Sequence, residues 1–283
     1  MSHPVHKFSA LARPVEPQYP TNLAVLVLLP LVAISLFAWL VMNDTAMVEA
    51  GKTALLGMLA AFLAWALGRE MDPDHNATGF IALALTVLAV GLGYSLDLLS
   101  LAALMFAVRV INRTVGPPAK LGDLITLVLL CLGAAIVDNA WWMPLLGALA
   151  LAVDEYFERS SLPQRLAIPA LVAMGLITLF LGGYTDFSAL DTLVRGWVVA
   201  VVVITVLVAI NIPNTEEIRS KMDVLDSPCD RRRVQMGMAM ILLAGVASVL
   251  GGQAGLTDAL AIWAVLAASL AGRNITLEKS ADD

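Results

Sequence analysis

The sequence predicts an all-α, polytopic integral membrane protein with about ten transmembrane helices and both termini in the cytoplasm. Three observations carry this expectation. Of the 283 residues, 59% are hydrophobic and only 14% are charged, against about 45–50% and roughly 25% in soluble domains. The apolar residues fall in long runs rich in Ala and Leu, not in the two-residue alternation of a membrane β-strand. The basic residues segregate to one side of those runs. A mean hydropathy of +0.84 excludes a soluble enzyme and a disordered chain, and no nucleic-acid partner is expected.

The elements follow in order. Residues 1–21 are polar and carry Pro4, Pro14, Pro17 and Pro20, so they read as a cytoplasmic tail in which His3 and His6 have no special role. The first apolar run, 22–42, is longer than the core of a signal peptide and reads as a retained helix. Further runs lie near 50–68, 79–96, 98–113, 121–138, 140–157, 166–184, 193–212, 235–252 and 256–272, ahead of a second cytoplasmic tail over 274–283. The membrane domain is therefore expected over 22–273. A hydrocarbon core of ~30 Å takes about 20 residues. The apolar cores of 98–113, 121–138 and 140–157 hold only about 14, or roughly 21 Å. They cross by taking in flanking residues such as Arg109 and Asp154, or by tilting little. Pro30 and Pro169 are each placed where a proline can kink a span, though proline is common in such helices. Cys131 lies in an apolar run and Cys229 in a polar loop, so no disulfide is expected.

Charge fixes the orientation. With the N-terminus inside, only Lys52 and Arg195 of the seventeen lysines and arginines fall on outer segments, and the other fifteen fall on inner ones. A miscounted helix would scramble this division. Trp39, Trp141, Trp142 and Trp197 mark outer helix ends and Trp65 an inner one, while Trp263 reads as packing. Gly57/Ala61, Ala89/Gly93 and Ala268/Gly272 have the four-residue spacing of close helix contacts in lipid. A 45-residue shift lays 79–118 on 124–163 with eight identities, a weak sign of a duplicated hairpin that would align Arg109 with Asp154.

No ionisable residue falls near the middle of any run. This argues against an intramembrane proton relay, because a charge at that depth is kept only where it has a use. Polar chemistry gathers instead at the cytoplasmic rim. The second run ends Arg69-Glu70-Met71-Asp72-Pro73-Asp74-His75-Asn76. There Asp72 and Asp74 are candidate Mg²⁺ ligands, or else solvated charges between a Pro73 stop and a Thr78 cap. An EF-hand is excluded, since Ala77 replaces the required glycine and Leu83 the final acid. The fourth run ends with Arg109, Asn112 and Arg113. The sixth ends with Asp154 and Glu158, one turn apart on one helix face, where like charges call for a cationic partner (Arg109 or Arg113) or a metal. These five residues are the candidate binding set for an anionic head group or diphosphate, with snorkelling to lipid and a frayed helix end as the structural alternatives. The longest loop, 213–234, closes on Arg231-Arg232-Arg233, read as a topology anchor on anionic lipid.

Acidic clusters after the second and sixth runs resemble the layout of the intramembrane prenyltransferases, whose paired Asp-rich loops hold Mg²⁺ and an isoprenoid diphosphate. The resemblance is one of position: that family's Asn-x-x-x-Asp-x-x-x-Asp signature is absent, and Asp154 and Glu158 stand where it has Asp-x-x-x-Asp. Ten helices in about 280 residues, with both termini inside, resemble the drug/metabolite transporter superfamily in topology, and topology alone does not fix function. The expectation is a transporter or flippase of a small or lipid-like solute in the cell (inner or plasma) membrane. The alternatives are a membrane-embedded enzyme with a cytoplasm-facing phosphate or lipid-diphosphate site, using Mg²⁺, and a non-catalytic membrane partner. Lipids are the expected surroundings, with a protein partner or a second copy of the chain also accommodated.

Overall fold

The computed structural model describes residues 9–159, 161–182, 187–225 and 227–273. The start of the expected N-terminal tail, with His3 and His6, and the C-terminal tail over 274–283 lie outside these residues. The described chain is helical: α1 (Pro20–Met42), α2 (Met47–Met71), α3 (Asn76–Gly91), α4 (Leu98–Asn112), α5 (Leu121–Val137), α6 (Met143–Phe157), α7 (Leu162–Leu181), α8 (Arg195–Asn211), α9 (Arg231–Ser248), α10 (Gly252–Asp258) and α11 (Leu260–Gly272). Short 3-10 turns occupy Phe187–Thr192 and Val249–Gly251. Four stretches are long and apolar enough to cross a membrane: Pro20–Met42, Met47–Met71, Leu162–Leu181 and Arg231–Asp258. The protein is thus a helical, membrane-associated chain. Asn76–Gly91, Leu98–Asn112, Leu121–Val137, Arg195–Asn211 and Leu260–Gly272 are apolar but shorter.

Every apolar run meets a helix, and the differences from the sequence reading lie at the ends. α3 begins at Asn76, so Thr78 sits inside the helix and donates to Asp72 (3.3 Å) instead of capping it. α9 begins at Arg231 because the Asp230 carboxylate accepts from the backbone N–H groups of Arg232 (2.7 Å) and Arg233 (3.2 Å), the N-cap arrangement that satisfies otherwise orphaned donors. The last run is broken at Ala259 into α10 and α11. Pro30 and Pro169 lie within α1 and α7, and neither ends its helix. In the described helices the charged residues stay within the first two or last turns, as the cost of desolvating a charge requires.

The chain forms two compact units, one gathering residues 9–14 with Asp97–Leu256, the other Val15–Leu96 with residues 257–273. In the second unit α1, α2, α3 and α11 pack on one another. Small residues set the spacing. A Cβ on Gly68 would lie 2.9 Å from the Gly79 Cα, and one on Gly272 would lie 2.1 Å from Thr78 Oγ1. Gly57 likewise accommodates Leu36 and Val90. Gly93 departs from the expected packing role: it has φ +90° with open space around it, and serves a turn. Trp263 is buried as expected, and Trp65 and Trp142 are buried too.

In the first unit α4 packs on α5, α6 and α9. α6 also meets α5, α7 and α9, α5 meets α7, and α8 lies on α9. The neighbouring of α4 and α6 agrees with the sequence reading. The suggested duplication is not reflected in the packing: α5 and α6 share a unit, whereas α3 and α4 belong to different ones.

Candidate functional site

The strongest concentration of buried charge lies in the first unit, where the ends of α4 and α6 meet the beginnings of α7 and α9. Its centre is Asp154, in the last turn of α6 and wholly buried. Arg113 grips it side-on, with Nε 2.8 Å from Oδ1 and Nη2 3.0 Å from Oδ2. Arg233 Nη1 donates to Oδ1 at 2.7 Å, and Gln164 Nε2 to Oδ2 at 3.0 Å. Asp154 therefore accepts four N–H bonds, matching the four lone-pair sites of a carboxylate. Such a charge is kept in an apolar interior only when it is paired and fully hydrogen-bonded.

The local backbone aims each partner. Arg113 ends α4 in the left-handed conformation (φ 50°, ψ 41°), a strained state for a residue with a Cβ. Its remaining amino group, Nη1, pairs with Glu158, the residue that caps α6. Arg233 stands in the first turn of α9 beneath the Asp230 cap. It also donates to the Ile111 carbonyl (3.0 Å) and lies 4.7 Å from the Phe157 ring centroid, a cation–π distance. Asn112 is buried against α9, where a Cβ on Gly237 would fall 2.1 Å from its Oδ1. The four formal charges of Arg113, Arg233, Asp154 and Glu158 cancel. Their environments differ: Asp154 is sealed, whereas the Glu158 side chain is 61% exposed.

Of the two arginines the sequence offered to Asp154, the structure supplies Arg113. Arg109, one turn earlier, donates instead to the Leu11 carbonyl at 3.3 Å. Arg233 and Gln164 were not foreseen as site residues. Both had a legible signal, since each begins a helical stripe of buried residues: Gln164, Leu171 and Gly175 on α7, and Arg233, Gly237, Ile241 and Ala244 on α9.

Asp72 and Asp74 belong to the second unit. Asp72 is buried; His75 Nδ1 lies 2.9 Å from Oδ1, while Thr78 donates to Oδ2 and Arg273 Nε is 3.6 Å away. Its oxygens are engaged by protein groups. Among the described residues no three His, Cys, Asp or Glu side chains gather as metal ligands.

An open cleft of about 640 Å³ lies between the C-terminal halves of α5 and α7 in the first unit, away from the Asp154 end of those helices. Leu132, Ile136, Met174, Ile177 and Leu181 supply most of its apolar lining, and Asn139 and Thr178 its polar part. No protein-family model, curated protein or solved structure matches the chain.

Proposed function

We propose that this is a multi-pass protein of the cell membrane, with ten crossings and cytoplasmic termini, that transfers a lipid-like solute with an anionic head group without an intramembrane proton relay. Support for alternating crossings comes from polar contacts within each unit. In the first, the ends of α4 and α6 join the starts of α7 and α9 around Asp154. At the opposite end of the same unit, the start of α4 meets the end of α5 through Ser100 and Asp138 (2.7 and 2.9 Å). In the second unit, the start of α1 meets the end of α2 through Asn22 and Arg69, and the ends of α1 and α3 meet through Trp39 and the Gly91 carbonyl. Within the units these contacts make α1 and α2, α2 and α3, α4 and α5, α5 and α6, and α6 and α7 antiparallel neighbours, the arrangement that alternating crossings need. The shorter ones cross by presenting their terminal charges to buried protein partners, which lowers the demand for an all-apolar 20-residue span.

The observation that carries the functional reading is the pairing, on one unit, of a buried polar clamp at one end and an apolar cleft toward the other. Asp154 holds the two arginines in place, while Glu158, largely exposed, is the counter-ion that a phosphate can displace from Arg113 Nη1. The α5–α7 cleft offers a surface for an acyl chain. A substrate read at one end by charge and accommodated at the other by apolar surface has the chemistry of a phospholipid-like molecule.

The test is lipid translocation in reconstituted proteoliposomes, using head-group-labelled phosphatidylglycerol and phosphatidylcholine. Faster translocation of the anionic lipid is expected, with Glu158→Gln retaining or increasing it and Arg113→Gln removing it. Equal rates in protein-free and protein-containing vesicles for both lipids would sink the reading.

A further inference from the structure

Residues 9–13 do not behave as a solvated tail. They thread across the first unit, and the contacts follow the logic of peptide recognition. The Asp123 carboxylate, buried in the first turn of α5, accepts from the Ser9 hydroxyl and from the Ala10 backbone N–H (2.9 Å), while also accepting from the Lys120 backbone N–H (2.9 Å). Arg109, at the end of α4, donates to the Leu11 carbonyl. The Ala10 and Leu11 side chains are buried, at 1% and 2% exposure. Arg13 forms an ion pair with Asp223 at 2.8 Å. The segment is also pre-shaped, since Ser9 Oγ accepts from the backbone N–H groups of Leu11 (3.2 Å) and Ala12 (2.9 Å).

The receiving surface is equally built. Asp223 and Val224 donate their backbone N–H groups to the carbonyls of Thr114 and Val115, both at 3.1 Å. The turn behind them is closed by Met222 to Ser227 and Cys229 to Ser220 bonds of 2.8 and 2.9 Å. Leu225 seats on Gly116, whose φ of +114° suits glycine and where a Cβ would lie 2.8 Å from Leu225 Cγ. A carboxylate for backbone N–H and hydroxyl, a guanidinium for a carbonyl, a buried position for one leucine and a second carboxylate for an arginine together read a Ser-Ala-Leu-Ala-Arg segment.

We propose that this surface, formed by the end of α4, the start of α5 and residues 220–225 and 227–229, is a recognition site for a bent Ser-x-Leu-x-Arg segment, and that residues 9–13 are an exchangeable intramolecular ligand for it. Exchange follows from the contacts. One leucine supplies the large apolar anchor, and the Arg13–Asp223 pair is a quarter exposed on each side (24% and 29%), where salt screens it. The division between the units falls between Pro14 and Val15, so the segment packs with a different unit from the helix that follows it.

The experiment uses the full chain in detergent micelles with a fluorescein-labelled synthetic peptide spanning residues 5–18. Leu11→Asp should vacate the site in cis. Saturable binding by anisotropy is expected to the Leu11→Asp protein and at least tenfold weaker to the unaltered chain. It should be lost again in Leu11→Asp/Asp123→Asn and be several-fold weaker in 0.5 M than in 0.05 M NaCl. Equal binding with and without Asp123→Asn, or no binding to a monodisperse Leu11→Asp protein of unchanged helical circular dichroism, overturns the proposal. If Leu11→Asp does not fold, Asp123→Asn in the otherwise unaltered chain decides it by hydrogen exchange. Amides of residues 10–12 should exchange at least tenfold faster while α4 and α6 keep their protection, and unchanged protection at 10–12 refutes a site centred on Asp123.

Discussion

Asp154 illustrates how one residue type can be foreseen while its surroundings cannot. A carboxylate one turn from the end of an apolar run requires a partner, and the spacing to Glu158 narrows the candidates to nearby arginines. That much is legible, and Arg113 fulfils it. Arg233 is harder to read, because it stands 79 residues away from Asp154 in sequence. In the triplet Arg231-Arg232-Arg233 three identical side chains share one composition, and only the helical phase against Gly237 and Ile241 separates the buried one. The same geometry makes a prediction. Asp154→Ala leaves two guanidiniums in a desolvated site without their common acceptor, and should destabilise the protein by about 3–5 kcal/mol. Glu158→Ala removes an exposed partner and should cost under about 1 kcal/mol. Thermal unfolding in micelles, followed by circular dichroism, checks both. A smaller loss for Asp154→Ala than for Glu158→Ala would mean that the cluster is not held as described.

At the scale of the elements, the apolar runs announce the helices, but the ends are decided by side chains that composition does not rank. Asp230 sets the start of α9 by capping, and Arg113 stops α4 by adopting a left-handed backbone. Close packing is similarly local. In so Ala-rich a chain, small residues four apart are common, and only the neighbouring helix reveals which ones matter. Gly237 and Gly272 do, because the atoms facing them stand where a methyl group would go. Gly237→Ala and Gly272→Ala are each expected to lower stability by about 1–3 kcal/mol through overpacking. Gly251→Ala, with nothing within 4 Å of the added carbon, serves as the neutral control. Thermal midpoints of the three variants in the same detergent should separate the first two from the third.

For the whole molecule, the proposed crossings are testable without reference to activity. In a background with Cys131 and Cys229 replaced, single cysteines at Pro118 and Ser227 should react with a membrane-impermeant maleimide only after the cytoplasmic face is opened. A cysteine at Asp44 should react in intact cells. Labelling of 118 or 227 from outside would overturn the arrangement. The division into two units was hidden from the sequence because it does not follow chain order: α1, α2 and α3 share a unit with α11, while α4 to α9 belong to the other. That has a consequence for manufacture. A ribosome delivers α1, α2 and α3 long before α11, so they emerge with one face of their assembly still missing. The early helices must wait, partly packed, through the synthesis of about 170 residues. A stop codon at Leu260 should therefore spare the intervening helices and orphan the earliest ones, making the N-terminal part of the chain the preferred target of membrane quality-control proteases.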